Sequence, residues 1–178
     1  MKVVLVGYRC TGKTTVAGEL AKILGWKAVE TDSIIEKKAG KKIAELVNEN
    51  GWGFFRQLEK EVVKEVANMD KAVVAAGGGT VMDEENAESL KKHAVFVLLK
   101  AAPEVIRQRL KLEQSELEKT RPPLKGKSAI DEVDEVLRER MPIYEKLADF
   151  AVDTGKNSVA VVVKQILDYL KANNRGVA

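Results

Sequence analysis

Disulfide chemistry is the first thing this chain excludes. It has one cysteine, Cys10, so no disulfide framework can form within it, and such scarcity favours a reducing compartment. Histidine is equally scarce. His93, the single one, lies beside Lys91 and Lys92 at the end of a helical pattern and reads as a helix-end residue rather than a catalyst. No cluster of residues has zinc-ligand spacing. No apolar run approaches the ~20 residues of a membrane span, and no signal-type stretch precedes the first strand pattern. Net charge is only +3. That falls short of the clustered basic face of a nucleic-acid binder, yet suits a site that handles anionic ligands. No internal repeat or low-complexity tract stands out. The expectation is a cytoplasmic protein with neither nucleic acid nor membrane as partner.

What is present is an ordinary core. Hydrophobic residues make up 45% of the 178 and charged residues 32%, which fits one domain spanning 1–178 with an ion-rich surface. Apolar runs of strand length fall at 3–6, 27–30, 72–76, 94–99 and 150–152. The longer ones are continuously apolar, as strands covered on both faces should be. Helical spacing falls at 13–24, 31–38, 41–48, 54–68, 84–91, 103–112, 130–146 and 159–171. Strands alternating with helices predict an α/β fold with a parallel sheet and right-handed crossovers. The least apolar stretch, 113–128, carries charge, Pro122, Pro123 and Gly126 and is expected to be a mobile loop.

The most specific local signal is Gly7-Tyr8-Arg9-Cys10-Thr11-Gly12-Lys13-Thr14, of the form G-x-x-x-x-G-K-[ST]. A strand pattern precedes it and a helix pattern follows. Together they build an anion site, because the N–H groups of the loop and first helical turn point at phosphate oxygens and the helix dipole adds to them. Lys13 can reach the β and γ phosphates, and the Thr14 hydroxyl can ligate Mg²⁺. A nucleoside triphosphate is therefore the expected ligand, with Arg9, Cys10, Thr11, Gly12, Lys13, Thr14 and Thr15 as contacts. No partner for thiol chemistry at Cys10 is visible.

Further candidates cluster at predicted strand ends. Glu30-Thr31-Asp32 ends the second strand, where ligands of open parallel sheets bind. Its carboxylates can hold Mg²⁺ waters and orient or deprotonate a hydroxyl, or Thr31 or Asp32 can simply cap the next helix. Arg56, early in a helix after Gly51-Trp52-Gly53-Phe54-Phe55, can grip a carboxylate bidentately or pair with Glu59 three positions on. Gly77-Gly78-Gly79 ends the third strand and forms either a flexible turn or, since ordering three glycines is costly, a place where backbone must approach something closely. Arg121, Lys125 and Lys127 either lie in an ordinary polar loop or supply the mobile cations that a phosphate lid needs.

In this order these pieces resemble shikimate kinase over nearly the whole chain. The likeness rests on residues 7–14, Glu30-Thr31-Asp32, Gly53-Phe54-Phe55-Arg56 with Glu59, Ala76-Gly77-Gly78-Gly79, Arg121-Pro122-Pro123-Leu124 and Arg140-Met141-Pro142-Ile143-Tyr144. The resemblance implies a nucleoside-monophosphate-kinase-like fold, a five-stranded parallel sheet of order 2-3-1-4-5 flanked by helices. It implies a substrate-binding helical region at about 31–60, a lid at about 113–128, and a monomer. It also implies the reaction, in which ATP phosphorylates the 3-hydroxyl of shikimate in the chorismate pathway. By position, Asp32 meets the reacting hydroxyl, Arg56 and Arg140 hold the substrate carboxylate, and Gly78 and Gly79 meet the substrate through backbone. Arg121 meets the transferring phosphate, with Lys13 and Asp32 completing the catalytic set. Asp153 and Thr154 fall where the adenine loop is expected, with Arg109 on the same side. One departure is that the family usually shows Asp-x-Asp where this chain has Glu30-Thr31-Asp32, so the metal-side carboxylate is a methylene longer. The rival readings are another small-molecule kinase of this fold, such as a gluconate or nucleoside monophosphate kinase, and a non-catalytic nucleotide-binding module. Against a nucleotide acceptor stands the aromatic content of 5%, since stacking a base calls for aromatic rings.

Overall fold

Five parallel strands in the order β2-β3-β1-β4-β5 form the centre of the protein. The computed structural model describes residues 1–120 and 128–173, with backbone alone over 113–120. The strands are β1 (Lys2–Val6), β2 (Lys27–Glu30), β3 (Ala72–Ala75), β4 (Ala94–Lys100) and β5 (Phe150–Asp153). β1 pairs on one side with β3, Val4 opposite Val74, and on the other with β4, Val4 opposite Phe96. Alternate residues of each strand point to opposite faces, and both faces are covered. Val4, Val74, Phe96 and Leu98 pack under α3 (Ile43–Ala67) and α4 (Glu84–Lys91). Val3, Leu5, Val73 and Val97 pack under α1 (Lys13–Leu24) and α7 (Val159–Ala172). Burial on both faces explains why the strand patterns are continuously apolar.

Two helices differ from the sequence expectation. The patterns at 41–48 and 54–68 form one element, α3, broken at Gly51, whose φ of 78° and ψ of 168° lie outside helical space. A glycine can take that conformation without a Cβ clash, so the chain bends and then resumes its helix. The second is α5, expected to stop at Leu112, which runs from Pro103 to Thr120. Residues 113–120 are rich in Glu, Gln, Leu and Lys. Polarity suggested a loop there, but those are strong helix formers, and the next breaker in the sequence is Pro122. The first part of the expected lid is thus helix, while Arg121, Lys125 and Lys127 lie outside the described residues. The remaining helices are α2 (Thr31–Ala39) and α6 (Val133–Leu147).

The order of strands matters for function. β1 lies between β3 and β4, so the chain leaves β1 toward one edge of the sheet and later returns to fill the other. The crevice beyond the carboxyl ends of the strands at such a reversal is where open α/β sheets bind ligands. The loop after β1, the three glycines after β3 and the acidic end of β2 all reach it.

Candidate active site

The loop from Gly7 to Gly12 is held in shape by its own side chains. Lys13, only 9% exposed, donates from Nζ to the carbonyls of Gly7 (2.9 Å) and Tyr8 (2.8 Å). The Thr11 hydroxyl donates to the Tyr8 carbonyl at 2.8 Å. The Cys10 carbonyl accepts from Arg109 Nη1 at 3.0 Å, and Arg109 Nη2 also donates to the Thr154 carbonyl at 2.6 Å. Arg109 therefore ties α5, the loop and the end of β5 together. These groups line a cavity of about 850 Å³ with Cys10 to Val16, Glu30, Arg109 and Thr154 on its walls. Val159 and Val162 add an apolar patch beside Thr154. Asp153 is placed differently, since its carboxylate accepts from the N–H groups of Gly155 (2.7 Å) and Lys156 (3.2 Å) and closes the turn after β5.

At the edge of this cavity the Glu30 carboxylate accepts two hydroxyls, Thr14 Oγ1 at 2.7 Å and Ser33 Oγ at 2.7 Å. With its proton committed to Glu30, the Thr14 oxygen keeps a lone pair for a cation. Thr14, Glu30 and Asp32 offer hard oxygen donors, which suits Mg²⁺ completed by waters and phosphate oxygens. Among the described residues no group of three or more His, Cys, Asp or Glu could hold a metal unaided.

A second pocket of about 50 Å³ adjoins the first, with Arg9, Asp32, Arg56, Glu59, Gly77 to Gly79 and Arg140 on its walls. Asp32 lines both. It sits in the first turn of α2, where Glu30 is the cap position and no side chain caps the helix. The capping alternative for Asp32 therefore fails. The glycines are needed for close approach. A Cβ on Gly77 would lie 2.5 Å from Asp32 Oδ1, and one on Gly79 would lie 2.5 Å from Arg56 Nη2. Only backbone fits between these side chains and β3.

Arg56 pairs with Glu59, as one of its sequence readings has it, and also lines the pocket. Its guanidinium lies over the Trp52 ring at 5.5 Å and the Phe55 ring at 5.1 Å, an arrangement that fixes the fork in place. Glu59 is 1% exposed and also accepts from Thr80 Oγ1 at 2.8 Å. Burial pushes its carboxyl above the usual range, against the opposing pull of Arg56 and Thr80. Behind the glycines, Tyr144 on α6 donates its hydroxyl to the Gly78 carbonyl, and Thr31 Oγ1 accepts from the Gly77 N–H at 2.9 Å. The sequence patterns gave no signal for the parts played by Thr31, Thr80 and Ser33, because each acts through contacts between separate elements.

Cys10, Thr11, Gly12, Lys13, Thr14, Thr15, Glu30, Arg109 and Thr154 thus come together at one cavity, and Asp32, Arg56, Gly78, Gly79 and Arg140 at the other. Arg9 departs from its expected grouping with the nucleotide contacts and lines the smaller pocket. Arg121 lies outside the described residues.

Comparison with known proteins agrees with this geometry. The family model for shikimate kinase matches residues 9–171. The shikimate kinase of Syntrophus aciditrophicus is 40% identical over 173 residues, covering 93% of this chain and 88% of that protein. That of Thermodesulfovibrio yellowstonii is 39% identical, covering 97% and 96%. Among solved structures, the shikimate kinase of Acinetobacter baumannii in complex with shikimate superposes with a TM-score of 0.88 at 29% identity, covering 97% of this chain and 93% of that one. A gluconokinase from Sinorhizobium meliloti, at 18% identity and a TM-score of 0.53, shares the fold alone. With a family model spanning nearly its whole length and relatives this similar, the chain belongs to the shikimate kinase family.

Proposed function

We propose that this protein transfers the γ-phosphoryl group of ATP to the 3-hydroxyl of shikimate, giving shikimate 3-phosphate and ADP. The observation that carries the reading is the position of Asp32 on the wall shared by a phosphate-loop cavity and a pocket lined by arginines. Phosphoryl transfer asks mainly for alignment and for cations where charge spreads. Arg56 and Arg140 grip the carboxylate of the acceptor, and the Gly78 and Gly79 backbones let its ring lie close to β3. The Asp32 carboxylate accepts the proton of the 3-hydroxyl as that oxygen bonds to the γ phosphorus and the bond to the β-phosphate oxygen breaks. Lys13 and the loop N–H groups hold the β and γ phosphates. Thr14, with Glu30 behind it, would hold Mg²⁺, which when bound neutralises phosphate charge. Arg109, Thr154 and the apolar Val159 and Val162 serve the adenine side. Arg121 serves as the lid cation, residues of about 31–60 form the acceptor-binding region, and the protein acts as a cytoplasmic monomer.

The test is ADP release, measured with ATP and Mg²⁺ against a panel of acceptors. Shikimate should give turnover far above gluconate or nucleoside monophosphates. Preference for another acceptor overturns the substrate assignment, and no turnover with any acceptor favours a binding module.

A further inference from the structure

Arg9 breaks rank with its neighbours in the phosphate loop. Residues Cys10 to Val16 line the nucleotide cavity, whereas Arg9 lines the acceptor pocket with Arg56 and Arg140. Its side chain is 8% exposed. Arg9 Nη2 stands 3.6 Å from the carboxylate of Glu132, which has no exposed surface. Among the described residues, Arg9 Nη1 is buried with no hydrogen-bond partner. A buried donor of a charged group is rarely left so, and one that lines a pocket is accounted for by a partner that arrives with the ligand.

We propose that Arg9 is a third guanidinium of the acceptor pocket, held by Glu132 so that Nη1 donates to an oxygen of the bound acceptor. The surroundings converge on that role. A Cβ on Gly78 would lie 3.6 Å from Arg140 Nη1 and 3.7 Å from the Arg9 backbone nitrogen. Phosphate loop, triple glycine and α6 therefore meet at one spot. Glu132 precedes the first residue of α6, the helix that carries Arg140 and Tyr144. The pair thus joins the loop that binds the donor to the helix that binds the acceptor. Charge is matched as well. Arg56 has Glu59 and Arg9 has Glu132, so the guanidinium groups can share a small pocket without uncompensated repulsion. An arginine suits this site better than a lysine because its planar fork serves Glu132 with one nitrogen and a ligand with the other.

This inference rests on the acceptor reading above. Its test uses two variants of the full chain. Arg9→Lys keeps the charge but loses the fork. The pair Arg9→Met with Glu132→Gln removes both buried charges, so neither is stranded. Calorimetry would measure shikimate binding without nucleotide and ADP binding without shikimate. The expected result is that ADP binds as to the parent, while shikimate binds about tenfold more weakly to the paired variant and to a lesser degree more weakly to Arg9→Lys. Repeating the titration with shikimate methyl ester separates the two oxygens: the loss shrinks if Nη1 meets the carboxylate and persists if it meets a hydroxyl. Unchanged shikimate affinity in both variants overturns the proposal. So does a fall in ADP affinity instead, which assigns Arg9 to phosphate, or an equal fall in both with a lower melting temperature, which reduces the pair to a structural link. If the parent binds no shikimate, the functional reading falls separately, and the same variants are compared with the acceptor that the parent does phosphorylate.

Discussion

At the scale of single residues, the site is built from groups that hold one another before any ligand arrives. Lys13 shows the consequence. It is buried against two loop carbonyls, so Lys13→Ala should abolish most turnover and also lower the melting temperature. The Tyr8 carbonyl keeps the Thr11 hydroxyl, but the Gly7 carbonyl loses the Lys13 donor, at a cost of about 1–3 kcal/mol. Loss of turnover at an unchanged melting temperature would show that the lysine serves phosphate alone. Gly79→Ala probes the second pocket. The new methyl meets the far end of the Arg56 side chain, so the fork must shift away from buried Glu59, and stability should fall as that pair loosens. Displacing the fork should also weaken shikimate binding by about tenfold, as for loss of a charged hydrogen bond. An unchanged KM for shikimate would contradict the role of Arg56. Tyr8 carries a pH prediction. Burial raises its hydroxyl from the ordinary 10.0 to about 12, with Glu132 adding to the effect and Arg9 and Arg140 opposing it. The native state therefore keeps a proton that the unfolded chain releases, and stability should fall as pH climbs from 10 to about 12. Tyr8→Phe should remove that part of the loss, at most about 3 kcal/mol, in denaturant titrations across the same range. An identical pH slope in the variant would count against it.

At the scale of elements, the break in α3 is the most exposed to test. Gly51 has a φ of 78° and a ψ of 168°, and a Cβ there would touch nothing within 4 Å among the described residues. The cost of Gly51→Ala is therefore torsional, about 1–3 kcal/mol. Gly53→Ala, two residues on, also meets nothing but lies in ordinary helix, and should stabilise by about 0.5–1 kcal/mol. Equal effects at both positions would mean that the break is not held by glycine. Elements were also where the sequence was most legible. The bounds of α1 and α4 follow directly from apolar spacing, because each buries one clean face. Spacing failed where burial does not decide structure. Residues 113–120 are polar and still helical, since propensity rather than packing governs an exposed helix end. Gly51 has a pattern on each side of it, and the pattern alone cannot tell a turn from a break within one element.

For the whole molecule, the α/β class was readable from alternating patterns, but the strand order came only with the family resemblance, because periodicity carries no information about which strands lie side by side. The same limit applies to the site. The phosphate loop is local, so its residues were legible from eight adjacent positions. The acceptor pocket is assembled from α2, α3, α6 and the glycines after β3, and its supporting contacts among Thr31, Glu59, Thr80 and Tyr144 span dozens of residues. Arg9 illustrates the point best. Sequence proximity grouped it with nucleotide contacts, while the fold turns its side chain toward Glu132 and the smaller pocket.

The central claim is that Asp32 stands between a bound triphosphate and the 3-hydroxyl of shikimate. The most direct measurement is ³¹P NMR of the reaction with one equivalent each of ATP and shikimate, run for the parent and for Asp32→Asn. The parent should convert the γ-phosphate resonance into a single phosphate monoester whose phosphorus couples to the proton on carbon 3 of shikimate. Asp32→Asn should form the same ester about a hundredfold or more slowly, as expected when the group that accepts the proton is lost, while still binding shikimate. A parent reaction that yields only inorganic phosphate, an ester at another hydroxyl, or an Asp32→Asn variant that is as fast as the parent would contradict the account.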